Sequence, residues 1–446
     1  MSTSTFIERP KSSCALGGAL TTLAGLNRVV PIVHAAGGCA AGLSGVYSGA
    51  AGYRGIGYCG GNMMPTTNIA ENNVVFGGEE RLTEQIENTL FAMSGDLYVV
   101  VTGCQVEIIG DDAKSVAKRY ADKNVIAVST PGFLGNTLKG YDAVVNALIE
   151  NVVKPSELKD PKTVNILGVV PGHDVFYRGN LEEIRRLLGL IGVKANTFFG
   201  ITDTVADIRE YGTAGLSVVL APNVGVAPAE KLKQKNGTPY ILSEIPVGPS
   251  GTADFLRQVG TAVGAEAALV ESVIASEAKY YYKYLNGIVD TYADLDFQRI
   301  AVISADGYYS HALTRFIAND LGWIPLLTSI NDIPDEEDQL RYLQRFIDIT
   351  SETRPKIVFE QQAGQILKHI RNSWALNHNE KYYDALSPAY VIGSGIDSGL
   401  AEKLGASFLA VAFPVSNRVV MNKHIAGFTG GLTLAEDLIS QLVASR

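Results

Sequence analysis

Cysteine is scarce in this chain: four residues among 446, at Cys14, Cys39, Cys59 and Cys104, and none beyond. So few thiols do not make a disulfide-stapled scaffold. In a reducing compartment, where structural disulfides are rare, they are metal ligands, catalytic thiols or small buried apolar residues. Long apolar runs are missing too. No stretch approaches the roughly eighteen apolar residues of a membrane span, and the opening MSTSTFIERPKSSC has no basic segment leading into an apolar one. The expectation is a cytoplasmic protein with no membrane contact. Basic charge is not in excess: 37 Lys and Arg against 46 Asp and Glu leave a net charge of −9, with no basic stripe to neutralise a phosphate backbone. Nucleic acid is therefore not an expected partner. No G-x-x-x-x-G-K-[ST] loop occurs, so ATP hydrolysis tied to this protein would belong to another chain.

What is present is core-forming sequence. Hydrophobic residues make up 46% of the chain, and at roughly 150 residues per domain the length argues for about three domains. Short Val- and Ile-rich runs recur, each ending in a small or Gly-bearing turn: DLYVVVTGC (96–104), NVIAVSTPG (124–132), TVNILGVVPG (163–172), LSVVLAPN (216–223), RIAVISADG (299–307), PKIVFEQQAG (355–364), PAYVIGSG (388–395) and SFLAVAFPV (407–415). Strands buried on both faces have this composition, and helical patterns such as EEIRRLLGLIG (182–192) lie between them. The alternation predicts an α/β protein of three Rossmann-like doubly wound parallel-sheet domains. Polar, proline-bearing VVKPSELKDPKT (152–163) and LNGIVDTYADLDFQR (285–299) mark the boundaries, giving domains at 1–160, 161–295 and 296–446, the last with a C-terminal helix. Residues 35–61 hold ten glycines, a density that calls for close backbone approach to something.

The crowding of all four cysteines into the first 104 residues favours a shared purpose. Cys104 ends a predicted strand, Cys39 follows the strand-like VVPIVHA, and Cys14 leads into ALGGALTTLAGL. Loops at the carboxyl ends of parallel strands are where open α/β sheets bind ligands, so three thiols can converge there. Soft thiolates suit iron–sulfur clusters, and neighbouring glycines let backbone approach a bulky inorganic core. The wide spacings differ from the C-x₂-C runs of ferredoxins and zinc ribbons, so such a site is assembled by tertiary structure. A fourth ligand would come from Cys59 or from a second chain; the plain alternative is packing in a Gly/Ala-rich core.

Other motifs have plainer readings. GIGYCG (55–60) fits G-x-G-x-x-G without a preceding strand, and GSGIDSG (393–399) has the wrong spacing for a dinucleotide site. His34 reads as a hydrogen-bonded core histidine, and Asp111 with Asp112 as caps of a following helix.

The runs CALGGA (14–19), PIVHAAGGC (31–39), NVVFGGEERL (73–82), TGCQVEIIGDD (102–112), VVPGHDVFYRGNLEEIRRLLGLIGV (169–193), AFPV (412–415) and GFTGGL (427–432) together resemble the nitrogenase component 1 family, in the order of its beta-type subunit and over nearly the whole chain. The resemblance implies that Cys14, Cys39 and Cys104 hold half of an [8Fe-7S] cluster, the P-cluster, shared with an alpha-type partner in an α₂β₂ heterotetramer. It implies that Phe76 of the VFGG turn lies where an ATP-dependent iron protein docks, and that the chain relays electrons as part of an oxidoreductase. The family's alpha-type subunit holds its catalytic cofactor through a later cysteine and a histidine; here no cysteine follows Cys104, Ala426 precedes Gly427-Phe428, and His424 is out of register. The expectation is that this subunit carries no catalytic residues. The segment AAGLSGVYSGAAGYRGIGY after Cys39, where the molybdenum enzymes carry larger, more charged side chains, departs from them and points to a divergent reductase, of which methylthio-alkane reductase is the nearest in kind. A beta-type scaffold for cofactor assembly is the alternative, although such scaffolds tend to lose the third cysteine, present here as Cys104.

Overall fold

The computed structural model describes residues 7–53, 64–294, 296–297, 299–332, 334, 336–349, 354–373 and 388–444. Its β-branched runs form three wholly parallel sheets. The first contains β1 (Val29–His34), β2 (Leu97–Thr102) and β3 (Val125–Val128) in that order; the second contains β4 (Asp160–Leu167), β5 (Lys194–Asn196), β6 (Ala214–Val219) and β7 (Tyr240–Leu242) in the order β5-β4-β6-β7. The third contains β8 (Ile300–Ala305), β9 (Ile324–Ile330), β10 (Lys356–Phe359), β11 (Tyr390–Gly393) and β12 (Ser407–Ala410) in the order β10-β9-β8-β11-β12. Every residue of β1, β2, β8 and β11 is buried, the signature of strands covered by helices on both faces. Each predicted strand therefore falls inside or overlaps an observed one, and the α/β expectation holds.

Two compact units emerge from the contacts. One comprises Ser12–Leu242 with Val419–Asn422, holding the first two sheets; the other comprises the described residues of Met1–Lys11, Ser243–Arg418 and Lys423–Arg446, holding the third.

In the first unit the helices are α1 (Ala15–Ala24), α2 (Gly37–Ala50), α3 (Glu71–Phe76), α4 (Glu79–Ala92), α5 (Cys104–Ile109), α6 (Ala113–Lys118), α7 (Thr137–Asn151), α8 (Tyr177–Leu190), α9 (Val205–Glu210) and α10 (Val226–Asn236). All ten residues of α1 are buried. It crosses α7 backbone to backbone: a Cβ at Gly18 would stand 2.1 Å from the Thr137 carbonyl oxygen, and one at Gly140 would stand 2.0 Å from that of Ala15. That approach fixes the start of α1, and with it Cys14, beside the loop leading into α7.

In the second unit the sheet order reverses at β8, which pairs β9 on one side and β11 on the other. Ligands of open α/β sheets bind at such a reversal, outside the carboxyl ends of the strands. Here the Lys11 ammonium fills it, 2.7 and 2.8 Å from the two carboxylate oxygens of Asp397 and 2.8 Å from Ser304 Oγ. Burial pulls the Lys11 pKa down while Asp397 pushes it back up. The GSGIDSG segment thus serves this ion pair: Asp397 also accepts from the Ser394 amide at 2.9 Å, closing a tight turn.

The same unit buries His311 between two carboxylates, with Nδ1 against Glu244 and Nε2 2.8 Å from Asp348. Arg345 backs Glu244 and Arg315 backs Asp348. Burial lowers the His311 pKa, but the hydrogen bonds and charges of Asp348 and Glu244 outweigh it, and the result lies above the ordinary 6.5. A histidine whose folded pKa is raised contributes stability fully below the unfolded pKa and loses it as pH rises through the folded one. Unfolding by denaturant is accordingly expected to become easier as pH climbs past 6.5 toward the alkaline side, and His311→Gln to flatten that slope; an unchanged slope in the variant would assign the pH dependence elsewhere.

Candidate metal centre

Cys14, Cys39 and Cys104 are all free thiols, each partly exposed. Each stands at the beginning of a helix. Cys14 is the N-cap of α1, Cys39 lies in the first turn of α2, and Cys104 opens α5 directly after β2. Unpaired amides at the starts of the longer helices, α1 and α2, favour negative charge, and thiolate is the ligand form of cysteine.

Cys14 and Cys104 are brought together by the segment after β3. The Ala15 amide donates to the Gly135 carbonyl at 2.9 Å, and Cys14 bridges Asn136. Gly132 stands between two of the thiols: its amide donates to Cys104 Sγ at 3.1 Å, and a Cβ there would lie 3.0 Å from Cys104 Sγ and 3.4 Å from Cys14 Cβ. Burial pushes the Cys39 thiol up, and Cys14 and Cys104 push it the same way, which puts Cys39 within electrostatic reach of both. Behind Cys14, the fully buried Tyr47 hydroxyl lies 2.8 Å from Ser13 Oγ and 3.3 Å from Thr137 Oγ1; burial holds its pKa up to about 12, so it remains a neutral hydrogen-bonding wall. Glu107, the carboxylate nearest Cys104 in sequence, is occupied by Thr102 and Ser129.

Among the described residues no three His, Cys, Asp or Glu side chains close in as a single metal ion requires. A mononuclear site gathers sulfurs at about 2.3 Å from one ion. The donor set fits a larger polynuclear core instead: soft thiols, an N–H aimed at sulfur of the kind that tunes iron–sulfur potentials, and a glycine where any side chain would intrude.

Cys59 and the GIGYCG turn lie outside the described residues. Phe76, at the end of α3, is 86% exposed, with Val75 at 72% and Ile108 of the adjoining α5 at 74%. The turn behind it requires its glycines. Gly77 has φ +90°, and a Cβ on Gly78 would stand 2.5 Å from Asp111 Oδ2. Asp111 accepts from the Gly78 amide at 2.9 Å and meets His34 Nε2 at 3.1 Å. This revises the capping reading: Asp112 does cap α6, accepting from the Ser115 amide at 2.9 Å, whereas Asp111 turns inward because the left-handed Gly110 reverses the chain and offers it a buried histidine and a bare amide. His34 is the hydrogen-bonded core residue expected. Burial lowers its pKa against the pull of Asp111, so the neutral ring donates from Nε2 and its Nδ1 faces Thr67 Oγ1 at 3.2 Å.

Sequence reading missed Gly132, Tyr47 and the structural role of Asp111. The PG pair preceding Phe133 was the available signal for a tight turn at Gly132. Nothing local marks Tyr47, whose partners come from distant segments.

The glycines of α2 leave an open face among the described residues. At Gly38, Gly42, Gly45 and Gly49 an added Cβ would meet nothing within 4 Å. The close approach they permit is not made by any of the described residues of this chain.

The whole chain, not only the cysteine region, has known counterparts. The Nitrogenase component 1 type Oxidoreductase family model matches residues 14–443. The nitrogenase molybdenum-iron protein beta chain of Methanococcus maripaludis is 24% identical, over 98% of this chain and 95% of its own length. The nitrogenase iron-iron protein beta chain of Rhodobacter capsulatus is also 24% identical, over 85% of this chain and 83% of its own. In three dimensions the solved structure of nitrogenase Cp1 at pH 6.5 aligns with a TM-score of 0.79 at 20% identity, covering 100% of this chain and 95% of that one. No helix among the described residues is long and apolar enough to cross a membrane. By the extent of the family match and the shared fold, this chain belongs to the nitrogenase component 1 type oxidoreductases.

Proposed function

We propose that this chain is the beta-type, electron-relay subunit of a nitrogenase-like reductase. In this reading its three sheets mark three Rossmann-like domains, and Cys14, Cys39 and Cys104 hold one half of an [8Fe-7S] cluster of P-cluster type, completed by an alpha-type partner in an α₂β₂ assembly. The observation that carries the reading is the placing of three free thiols at helix starts, two of them, Cys14 and Cys104, against the bare backbone of Gly132. When bound, such a cluster supplies reversible uptake and release of electrons. The chain's own residues would hold and tune it: three thiolates as ligands, and the Gly132 amide donating to Cys104 Sγ.

Partner contact is supported by the surface beside the thiols, where Phe133 is 67% and Leu134 46% exposed. Apolar side chains grouped on a surface are normally covered in an assembly. The patch of Val75, Phe76 and Ile108 supports docking of an ATP-dependent iron protein, since this chain has no nucleotide-binding loop of its own. A beta-type role is further supported by the names of the relatives and by the absence of any thiol after Cys104. The substrate class we infer is a methylthio-alkane, from the mostly small segment after Cys39, whose one charged residue is Arg54. A scaffold for cofactor assembly is the less favoured reading because Cys104 is present and stands beside Gly132.

The test is iron and acid-labile sulfide per complex, purified without oxygen after co-expression with the alpha-type partner. Cys14→Ala, Cys39→Ala and Cys104→Ala are expected each to lose most of the cluster iron, with Cys59→Ala retaining it. Wild-type complex without iron, or three variants that all keep it, would return the thiols to a packing role. Methanethiol release from a methylthio-alkane, dependent on the iron protein and ATP, separates reductase from scaffold.

A further inference from the structure

The first sheet ends in an unguarded edge. β3 is paired with β2 on one side only. The register runs from Tyr98↔Val125 to Val101↔Val128, and the Tyr98 amide donates to the Asn124 carbonyl at 2.9 Å. In a parallel ladder this turns the amide and carbonyl of Ile126 and Val128 toward β2, and those of Ala127 outward. Backbone groups so placed are templates for another strand unless something blocks them. No strand of the described residues pairs with them here: the edge forms the floor of a cleft of about 710 Å³, with α6 along one wall and α7 along the other.

The walls carry two further marks. Lys114, Lys118, Arg209 and Lys231 line the cleft against a single carboxylate, Glu150, on a chain whose net charge is −9. Glu150 is paired with Lys231 at 2.7 Å, while Lys114, Lys118 and Arg209 have no carboxylate partner among the described residues. Asn146 of α7 also lines the cleft, and its Oδ1 is buried without a hydrogen-bond donor among the described residues. A buried acceptor of this kind is costly unless a donor arrives.

We propose that this cleft binds an extended, acidic segment of a partner protein, which adds to β3 as a fourth strand. Its main chain would pair with the outward amide and carbonyl of Ala127, an N–H would satisfy Asn146 Oδ1, and its carboxylates would lie against Lys114, Lys118 and Arg209. Main-chain pairing supplies affinity in this mode and the flanking side chains supply selectivity. The site is separate from the thiols and from the surface around Phe76.

The experiment uses the assembled complex and a pool of short fluorescent peptides in which Asp or Glu alternates with Val, Ile, Leu or Ala, read by anisotropy at low salt. A second pool carries N-methyl groups on alternate amides, which removes ladder hydrogen bonds and keeps the charge. Saturable binding is expected to weaken about tenfold or more for the N-methylated pool and for the Lys114→Ala/Lys118→Ala variant, with slowed hydrogen exchange at the Ala127 amide. Equal binding of both pools would reduce the cleft to a site for small anions and overturn strand addition. So would binding without protection of Ala127, or no saturation up to about 1 mM.

Discussion

Leucine at both Gly42 and Gly45 is expected to leave the chain folded and to prevent its assembly with the alpha-type partner. Helix α2, GGCAAGLSGVYSGA, contains five glycines. Glycine inside a helix is disfavoured by about 0.5–1 kcal/mol relative to alanine, so the sequence gives up roughly 3–5 kcal/mol of intrinsic helix stability. The inner face earns part of this back through buried Ala40, Ser44 and Tyr47. The outer face offers no such return among the described residues: Gly38, Gly42, Gly45 and Gly49 recur at helical spacing and a Cβ on any of them would meet no described atom within 4 Å. A bare helix face is useful where a second backbone must come close, and this one adjoins Cys39, a proposed ligand of the shared cluster. Alanine at Gly42 and Gly45 should therefore stabilise the isolated chain by about 1–2 kcal/mol. The leucine pair should keep that gain in thermal unfolding yet weaken assembly, measured by sedimentation of co-expressed subunits, by about a hundredfold or more, because each side chain must be accommodated in a packed interface. Assembly at wild-type affinity would show that this face looks elsewhere.

The same helix illustrates what was and was not legible beforehand. Strands declared themselves because a strand buried on both faces is a near-continuous apolar run rich in Val and Ile, a local property visible in LYVVVT and IAVISA. The density of glycine in 35–61 called for a close backbone approach, but its direction could not be read, since a glycine pattern looks the same whether the neighbour is in the chain or in another one. The thiols were identifiable by type and crowding. The approach of Cys14 to Cys104 depends on the Gly18–Thr137 and Gly140–Ala15 contacts between two helices far apart in sequence, and on the turn at Gly132. Asp111 was misread for the opposite reason. An acidic pair before a helix is a strong local signal, and it was right for Asp112. Local signals say nothing of a histidine 77 residues away, and the His34 ring is what draws Asp111 inward.

That inward turn gives the second large expected effect. The exposed Phe76 turn is held from beneath by one carboxylate, because Asp111 receives the Gly78 amide and His34 Nε2 at once. His34 lies five residues before Cys39 and Cys104 seven before Asp111, so the proposed docking surface and two of the proposed ligands share a rigid frame. Asp111→Ala would leave the amide and the buried imidazole N–H without acceptors, each worth about 1–3 kcal/mol, and the turn would lose its fixed position. Reductase-dependent turnover is expected to fall about tenfold to a hundredfold, expressed mainly as a raised KM for the iron protein, with iron content unchanged. Phe76→Ala should raise the same KM by removing the exposed ring, without disturbing the frame. Asp111→Asn retains an acceptor for the Gly78 amide and should recover much of the loss, which a purely electrostatic role for Asp111 would not allow. If Asp111→Ala instead loses iron while its KM for the iron protein stays put, the carboxylate supports the thiols and not the docking turn.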